Sequence, residues 1–480
     1  MDDIEGGDVI RRLAFENAWW PLKPDQPHRF KEPVKRSHFD LFIKAAEDAP
    51  PGRAHILAGP RRTGKSVMLR QAIVRRIQDG VLPNRILYAS LSNPVYWSMT
   101  VADLVALFQA HHGHGADDPL HIFLDEIQYM RNWQEGLAEA AARWPECRFI
   151  ASASAGISLG MIAGHEESPF TTTLLPPLTF AEFLRIRGGE AAIFDGAGGQ
   201  QLHSSKVPVL NDEFVRYVNY GGFPEGIMTR AEGTPPPSFI RDSLVDRLLH
   251  KDLAPLYGVN DPWELNRLIA VLARHTAAEV SIEGLSRLTG VAKNTVRKYL
   301  DFLESAYLIH RVYRVNDAAR FYRRAVTFKV YLTTTTLYAA LFGPVSASDP
   351  VFPRLAETAL LGQLLGSPTT GRLAYAGWRG GKVDLVAMDA ANRTPWLVVE
   401  MDWDERLITS SQGPKAVGYF VGANCPRANI FVLTRQAARP ATLQGYTVRI
   451  VPAALACYLT RHDLLGGLFE GYQDKLSDVA

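Results

Sequence analysis

The chain has 480 residues, of which 47% are hydrophobic and 21% charged, and its formal net charge is +2. That length exceeds what one ordinary core accommodates, so two to four domains are expected, and the near-balanced charge excludes a polybasic chain and makes any nucleic-acid surface local. The three cysteines, Cys147, Cys425 and Cys457, are far apart with no C-x-x-C pair, which excludes a zinc-finger or disulfide scaffold and suits a reducing compartment.

The opening MDDIEGGDVI is acidic and lacks an apolar h-region, and no apolar run reaches bilayer length, so a cytoplasmic protein without a membrane partner is expected. Residues 1–53 read as an extended N-terminal arm. FENAWWPLKPDQPHRFKEP is rich in proline and aromatic residues and shows no helical period, with Trp19 and Trp20 as anchors.

Residues 54–175 hold the strongest chemical signal. AHILA predicts a buried strand, GPRRTGKS fits G-x-x-x-x-G-K-[ST], and SVMLRQAIVRRIQDG predicts a helix with Val67, Leu69, Ala72, Ile73 and Ile77 on its apolar face. A strand before the motif and a helix after it are the context that a phosphate-binding loop requires. Gly59, Pro60, Arg61, Arg62, Thr63, Gly64, Lys65 and Ser66 would then form the ATP cradle. The glycines turn backbone N–H groups inward, Lys65 sets a positive charge on the β/γ oxygens, and Ser66 offers a hydroxyl to Mg²⁺. RILYASLSN predicts another buried strand and VADLVALFQAHH an amphipathic helix. LHIFLDEIQYM then predicts a strand ending in Asp125-Glu126, a Walker B pattern in which Asp125 holds the metal and Glu126 is the general base. CRFIASASAG predicts a further strand, ending near Ser152 and Ser154. Strands alternating with helices imply a parallel sheet covered on both faces.

In residues 176–260, Thr179 and Glu182 form a capping box, GGFPE is a turn, and FIRDSLVDRLLHKDLAPLYG reads as a helix. Residues 261–335 read as helix, helix, turn, helix and two strands, the order of a winged helix-turn-helix. Lys293, Asn294, Arg297 and Lys298 would lie on the exposed side of its third helix as DNA-binding candidates. From Leu285 to Val330 ten Lys/Arg stand against three Asp/Glu, a local excess of seven positive charges suited to phosphate contact. In residues 336–480, Glu357 falls on a helix, Asp384 in the strand GKVDLVAMD, and Glu400 and Asp402 end the strand TPWLVVEMDW.

GPRRTGKS, FLDEIQ, IASASAG, PLTFAEFL, GGFPE, KDL, the winged helix and VDLV…VVEMDW together resemble a group of prokaryotic AAA-like P-loop ATPases with a winged helix and a C-terminal PD-(D/E)xK nuclease-like domain. The resemblance implies a multidomain α/β protein: an AAA-type ATPase core, a helical lid over 176–260, the winged helix, and a restriction-endonuclease-like α/β domain. It implies that Ser152 or Ser154 is the polar sensor of the γ-phosphate region, acting with Glu126 and Lys65 in catalysis. Arg185, Arg241 and Arg247 are the lid arginines available as a finger. It also implies that Glu357, Asp384 and Glu400 descend from a metal site. In that layout Asp402 takes the place of the lysine, leaving a degenerate motif with Lys415 as the nearest displaced substitute. The expected function is Mg·ATP binding and hydrolysis driving a switch coupled to DNA, with a protein partner or self-association also open. An ATP-liganded DNA-binding regulator and an ATP-gated nuclease are the alternatives.

Overall fold

The computed structural model describes residues 6–22, 34–154, 168–194, 202, 204–228, 261–322, 326–365, 371–389, 394–409, 415–424, 428–443 and 445–460. It divides into two compact units, Met1–Leu175 with Ser305–Tyr307, and Pro176–Glu304 with Leu308–Ala480.

The first unit is built on five parallel strands, β1 (Ala54–Ala58), β2 (Ile86–Ser90), β3 (His121–Asp125), β4 (Arg148–Ala153) and β5 (Phe170–Leu174), in the order β2-β3-β4-β1-β5. All five residues of AHILA are buried, as expected of a parallel strand with both faces covered. α3 (Lys65–Gln78) follows the loop after β1 and buries Met68, Leu69, Ala72, Ile73 and Ile77. Met68 takes the core position expected of Val67, which is exposed, because the i, i+4 row through 68, 72 and 76 turns residue 67 outward. The helices α4 (Val101–His112) and α5 (Trp133–Arg143) also cover this sheet.

Residues 1–53 are not simply an extended arm. α1 (Gly6–Glu16) and α2 (Phe39–Glu47) lie within them, burying Val9 with Leu13 and Phe39 with Phe42 and Ala46. The spacing Val9–Leu13 is one helical turn, a signal masked by the proline-rich stretch that follows it. After α1, Asn17 pairs with the edge strand β2: its Nδ2 donates to Tyr88 O and its Oδ1 accepts Tyr88 N, each at 2.7 Å. Trp19 and Trp20 do act as anchors, both indole N–H groups donating to Ile86 O at 3.3 and 2.8 Å. The segment therefore occupies backbone groups that an open sheet edge would leave free.

The second unit carries one nine-stranded mixed sheet in the order β13-β14-β12-β11-β10-β9-β7-β8-β6. Its strands are β6 (Ala278–Ser281), β7 (Ile309–Val315), β8 (Thr327–Leu332), β9 (Arg372–Trp378), β10 (Gly381–Met388), β11 (Pro395–Asp402), β12 (Asn429–Thr434), β13 (Arg439–Leu443) and β14 (Tyr446–Pro452). The helix Pro262–Arg274 is followed by β6, then by the helices Ile282–Thr289 and Lys293–Ser305, then by β7 and β8, and the three strands form an antiparallel β7-β8-β6 ladder. β7 also pairs in parallel with β9, Tyr313 opposite Ala374, so the strands expected of two separate domains share one sheet.

Among the residues expected to form a lid, the helices Phe180–Arg187 and Val207–Tyr220 bury Phe180, Phe183, Phe214 and Tyr217 in the core of this second unit, with Phe352, Trp403 and Tyr458. The capping box at Thr179–Glu182 is present, with Glu182 N donating to Thr179 Oγ1 at 3.2 Å and Thr179 N to Glu182 Oε2 at 2.9 Å. Gln363, on the helix Phe352–Leu365, ties these two helices to it, accepting Phe180 N at 3.0 Å and donating to Tyr217 Oη at 2.8 Å. Gly222 of GGFPE donates its N–H to Thr336 Oγ1 at 3.0 Å, which ties that turn to the threonine run 333–336. The helix expected from Phe239 to just before Pro255, with Arg241, Arg247 and KDL, lies outside the described residues.

Candidate functional site: a phosphate cradle and an acidic turn across one strand end

β4 lies between β1 and β3, so the loop that follows β1 and the turn that follows β3 flank the end of β4. The sequence from Gly59 to Ser66 makes the first wall. Gly59 has φ +153°, and a Cβ there would stand 2.2 Å from the carbonyl oxygen of Leu175, so only glycine fits. Arg62 and Gly64 have φ of 64° and 96°, the left-handed turns that curl the loop into α3. Thr63 braces it, its hydroxyl donating to Pro60 O at 2.9 Å while Arg36 Nη1 donates to Thr63 O at 2.6 Å. Lys65 is buried, and its ammonium donates to Gly59 O at 3.0 Å and Pro60 O at 2.7 Å. Burial pushes this ammonium below its ordinary pKa, opposed by the negative charges of Glu126 and Asp125.

Asp125 and Glu126 make the second wall. Asp125 is buried, with Tyr88 Oη donating to its Oδ2 at 2.8 Å and the Ser152 hydroxyl donating to its Oδ1. Glu126 has the left-handed φ of 58°. Its N–H donates to Ser152 Oγ at 2.9 Å, and its Oε2 accepts from Ser154 Oγ at 2.5 Å and from Gln128 Nε2. Arg61 lies 3.8 Å from the same oxygen and also donates to the Tyr129 hydroxyl. Burial alone would raise the Glu126 pKa, but Lys65, Arg61 and the two side-chain donors outweigh it and hold the carboxyl below its ordinary range.

The structure thus gathers Lys65, Asp125, Glu126, Ser152 and Ser154 around one strand end, and separates the two serines. Ser152 serves Asp125, and Ser154 serves Glu126. Sequence reasoning misses Gln128 and Tyr88. Gln128 follows Glu126 by two residues in FLDEIQ, which is its available signal, whereas Tyr88 reaches Asp125 only through strand pairing.

The chemistry fits a magnesium nucleotide. A buried ammonium, Arg61, Arg62 and the N-terminal N–H groups of the 14-residue α3 are anion-binding groups. The Ser66 hydroxyl and the Asp125 carboxylate are the hard oxygen donors that Mg²⁺ takes.

In the second unit, Glu357, Asp384 and Glu400 also meet, and the lysine that the strand motif lacks is supplied from elsewhere in the chain. Lys329 on β8 donates its ammonium to Glu357 Oε1 at 2.8 Å, Asp384 O at 3.0 Å and Asp384 Oδ1 at 3.3 Å. Lys382 reaches Asp384 Oδ1 at 3.1 Å, and Tyr331 Oη donates to Glu357 Oε1 at 2.5 Å. Asp402, at the sequence position of the motif's lysine, has its Oδ2 accepting the N–H groups of Leu407 and Ile408 at 2.9 and 3.0 Å, which caps the turn Arg406–Thr409. Lys415 is exposed at the start of the helix Lys415–Asn424, and the ammonium groups on these acids are those of Lys329 and Lys382. The cluster does not fit a metal. Lys329 already bridges Glu357 and Asp384, and among the described residues no group of three or more His, Cys, Asp or Glu side chains is arranged to hold an ion.

Lys293, Asn294, Arg297 and Lys298 are all exposed on the helix Lys293–Ser305, whose Val296, Tyr299, Leu300 and Leu303 are buried. Arg297 donates to Asn294 Oδ1 at 3.0 Å, Lys293 pairs with Glu283 at 3.2 Å, and the Lys298 ammonium lies 5.4 Å from the Phe302 ring centre. Arg185 is half-exposed and lies 3.6 Å from Glu190, as a solvated helix charge does.

Residues 51–184 match the family model of an AAA domain. The parallel α/β core of the first unit resembles that of AAA-type P-loop ATPases. Residues 211–348 match a second family model, described as a domain of unknown function. An uncharacterized protein of Haemophilus influenzae is 26% identical over 262 residues, covering 53% of this chain and 61% of its own length. One from Methanocaldococcus jannaschii is 21% identical over 322 residues, covering 63% of this chain and 66% of its own. The chain therefore spans less than two thirds of either relative. Among solved structures, AMPPCP-bound DnaA from Aquifex aeolicus aligns at a TM-score of 0.27 and 14% identity, over 55% of this chain and 86% of that one. NtrX from Brucella abortus in complex with ATP aligns at 0.25 and 13%, over 61% and 72%. Likeness that distant carries no functional argument. No described helix is long and apolar enough to cross a membrane.

Proposed function

We propose that the chain is a Mg²⁺-dependent ATPase whose nucleotide state is read out on DNA through residues 261–335. The observation that carries the ATPase part is the convergence of buried Lys65, Asp125 and the ionised Glu126 on the end of β4. Lys65 would hold the β/γ-phosphate oxygens, and Ser66 with Asp125 would hold the metal. When bound, Mg²⁺ would draw charge from the phosphate oxygens. Glu126 would take the proton of the attacking water, and the Ser152 and Tyr88 hydroxyls keep Asp125 in a fixed orientation.

The DNA part rests on the four exposed side chains of the helix Lys293–Ser305 and on the surplus of basic residues around them. The order helix, β6, helix, helix, β7, β8, with the three strands in one antiparallel ladder, supports a winged-helix reading of this segment. Steady-state ATP hydrolysis, measured with and without double-stranded DNA at two salt concentrations, tests both parts. A rate raised by DNA and suppressed by salt supports the coupled switch. A nucleotide-dependent DNA affinity with almost no turnover replaces it with an ATP-liganded regulator. A rate indifferent to DNA makes this surface a protein-docking face.

A further inference from the structure

Among the described residues, the three groups that pair with the Glu126 carboxylate do so on one oxygen. Ser154 Oγ donates to Oε2 at 2.5 Å, Gln128 Nε2 donates to Oε2, and Arg61 lies 3.8 Å from Oε2. Oε1 accepts no hydrogen bond from a described residue. Gln128 is itself held at both ends of its amide, Nε2 donating to Ser154 Oγ at 2.9 Å and Oε1 accepting Ser154 N at 3.3 Å. The three side chains close a ring. Gln128 gives one N–H to Glu126 and one to Ser154. Ser154, with a lone pair so occupied, has its own proton left for Glu126. The short helical turn Ile127–Tyr129 brings Gln128 back over β4, and it starts from the left-handed backbone of Glu126. A non-glycine residue keeps that conformation only where its surroundings over-determine it.

We infer that Gln128 is the positioning residue of the general base: with Ser154 it fixes Oε2 of Glu126 and leaves Oε1 as the oxygen that receives the proton of the attacking water. In that step a water O–H bond breaks, its proton passes to Oε1, the water oxygen bonds to the γ-phosphorus, and the bridging oxygen leaves on ADP with the bonding electrons. The inference rests on the reading of Glu126 as the base. Two hydrogen bonds to one oxygen fix both the plane and the tilt of a carboxylate, which one bond cannot do. Such orientation is what proton transfer in a closed site depends on. Gln128 acts through Glu126, which it holds together with Ser154.

Wild type, E126Q, Q128A and the double variant E126Q/Q128A separate the possibilities when kcat and the Kd for ATP are measured for each. Q128A is expected to lose about tenfold to a hundredfold in kcat with its Kd for ATP unchanged, the size of loss that misplacing a reacting group by about an ångström produces. In the E126Q background, Q128A should cost nothing further, because there is no base left to position. Should Q128A fold poorly, S154A removes the other donor to Oε2 and is expected to give the same split. Full kcat in Q128A beside an inactive E126Q overturns the positioning role and leaves the ATPase reading standing. An equal loss from Q128A in both backgrounds, or a weakened Kd, makes Gln128 a structural residue and overturns the role as well. Full turnover in E126Q overturns the underlying assignment of the base, and the inference with it.

Discussion

Ser154, just past the end of β4, gives its hydroxyl proton to Oε2 of Glu126 at 2.5 Å, while Ser152, two residues earlier in β4, gives its own to Asp125. Alternation along a strand sends successive side chains to opposite faces and returns the second to the first face. Ser152 in β4 and Ser154 just past its end can thus serve Asp125, the last residue of β3, and Glu126, which follows it, without competing. S152A should weaken Mg²⁺-dependent nucleotide binding, while S154A should lower kcat and leave binding intact. Titrating ATP with and without Mg²⁺, together with turnover, checks this division of labour.

Gly59→Ala should abolish nucleotide binding. Its Cβ would stand 2.2 Å from the Leu175 carbonyl oxygen, a backbone atom that cannot swing aside. The loop must then open, and overpacking of this kind costs about 1–3 kcal/mol. Equilibrium dialysis with ATP and a thermal melt would show lost binding in a protein that still unfolds cooperatively.

Lys329→Met should be strongly destabilising. It would leave Glu357 and Asp384 buried without the ammonium that links them at 2.8 and 3.3 Å. Removing one partner of a buried ion pair typically costs about 3–5 kcal/mol. Urea unfolding is the measurement, and K329M/E357Q should recover part of the loss by removing one of the two stranded acids.

The same cluster gives the second unit a pH dependence of definite sign. Burial, then the charge of Asp384, pushes the Glu400 carboxyl up to about 8. An acid with a raised pKa in the folded state binds its proton more tightly there than in the unfolded chain. Its contribution to stability is complete below its ordinary carboxylate pKa and is lost as pH rises through about 8. Denaturant unfolding between about pH 5 and 9 should therefore show stability falling with pH, and Glu400→Gln should flatten that slope.

Arg297→Ala and Lys298→Ala should weaken DNA binding by similar factors on unrelated sequences. Each should also reduce the slope of log affinity against log salt by about one for every phosphate that is no longer neutralised. Fluorescence anisotropy on two duplexes of different sequence across a salt series measures both quantities. A loss confined to one sequence would point to base reading instead.

The cradle and the acidic turn were legible because their chemistry is local. GPRRTGKS follows a buried strand, and FLDE ends one. The helical half of residues 1–53 was hidden because one stretch of prolines dominates the pattern, although Val9 and Leu13 already lie one turn apart. Lys329 was invisible for a topological reason. It lies on β8, three strands from β10 in the sheet order β10-β9-β7-β8, and reaches Asp384 only because the wing-like strands and the C-terminal strands form one sheet. Lys382 was nearer to hand, two residues before Asp384 on the same strand face. The lid expectation came from resemblance alone. Phe180, Phe183, Phe214 and Tyr217 carry enough apolar surface to join a core, and they join that of the second unit.

The central claim, that the two walls around β4 form an ATP-hydrolysing site with Glu126 as its base, meets its most direct test in E126Q. ATP binding and single-turnover hydrolysis would be measured with Mg²⁺ for wild type, K65A and E126Q. The account predicts that wild type turns over, that K65A binds no ATP, and that E126Q binds ATP as wild type does while its chemical step slows by about a hundredfold or more. Hydrolysis by E126Q at the wild-type rate would contradict it.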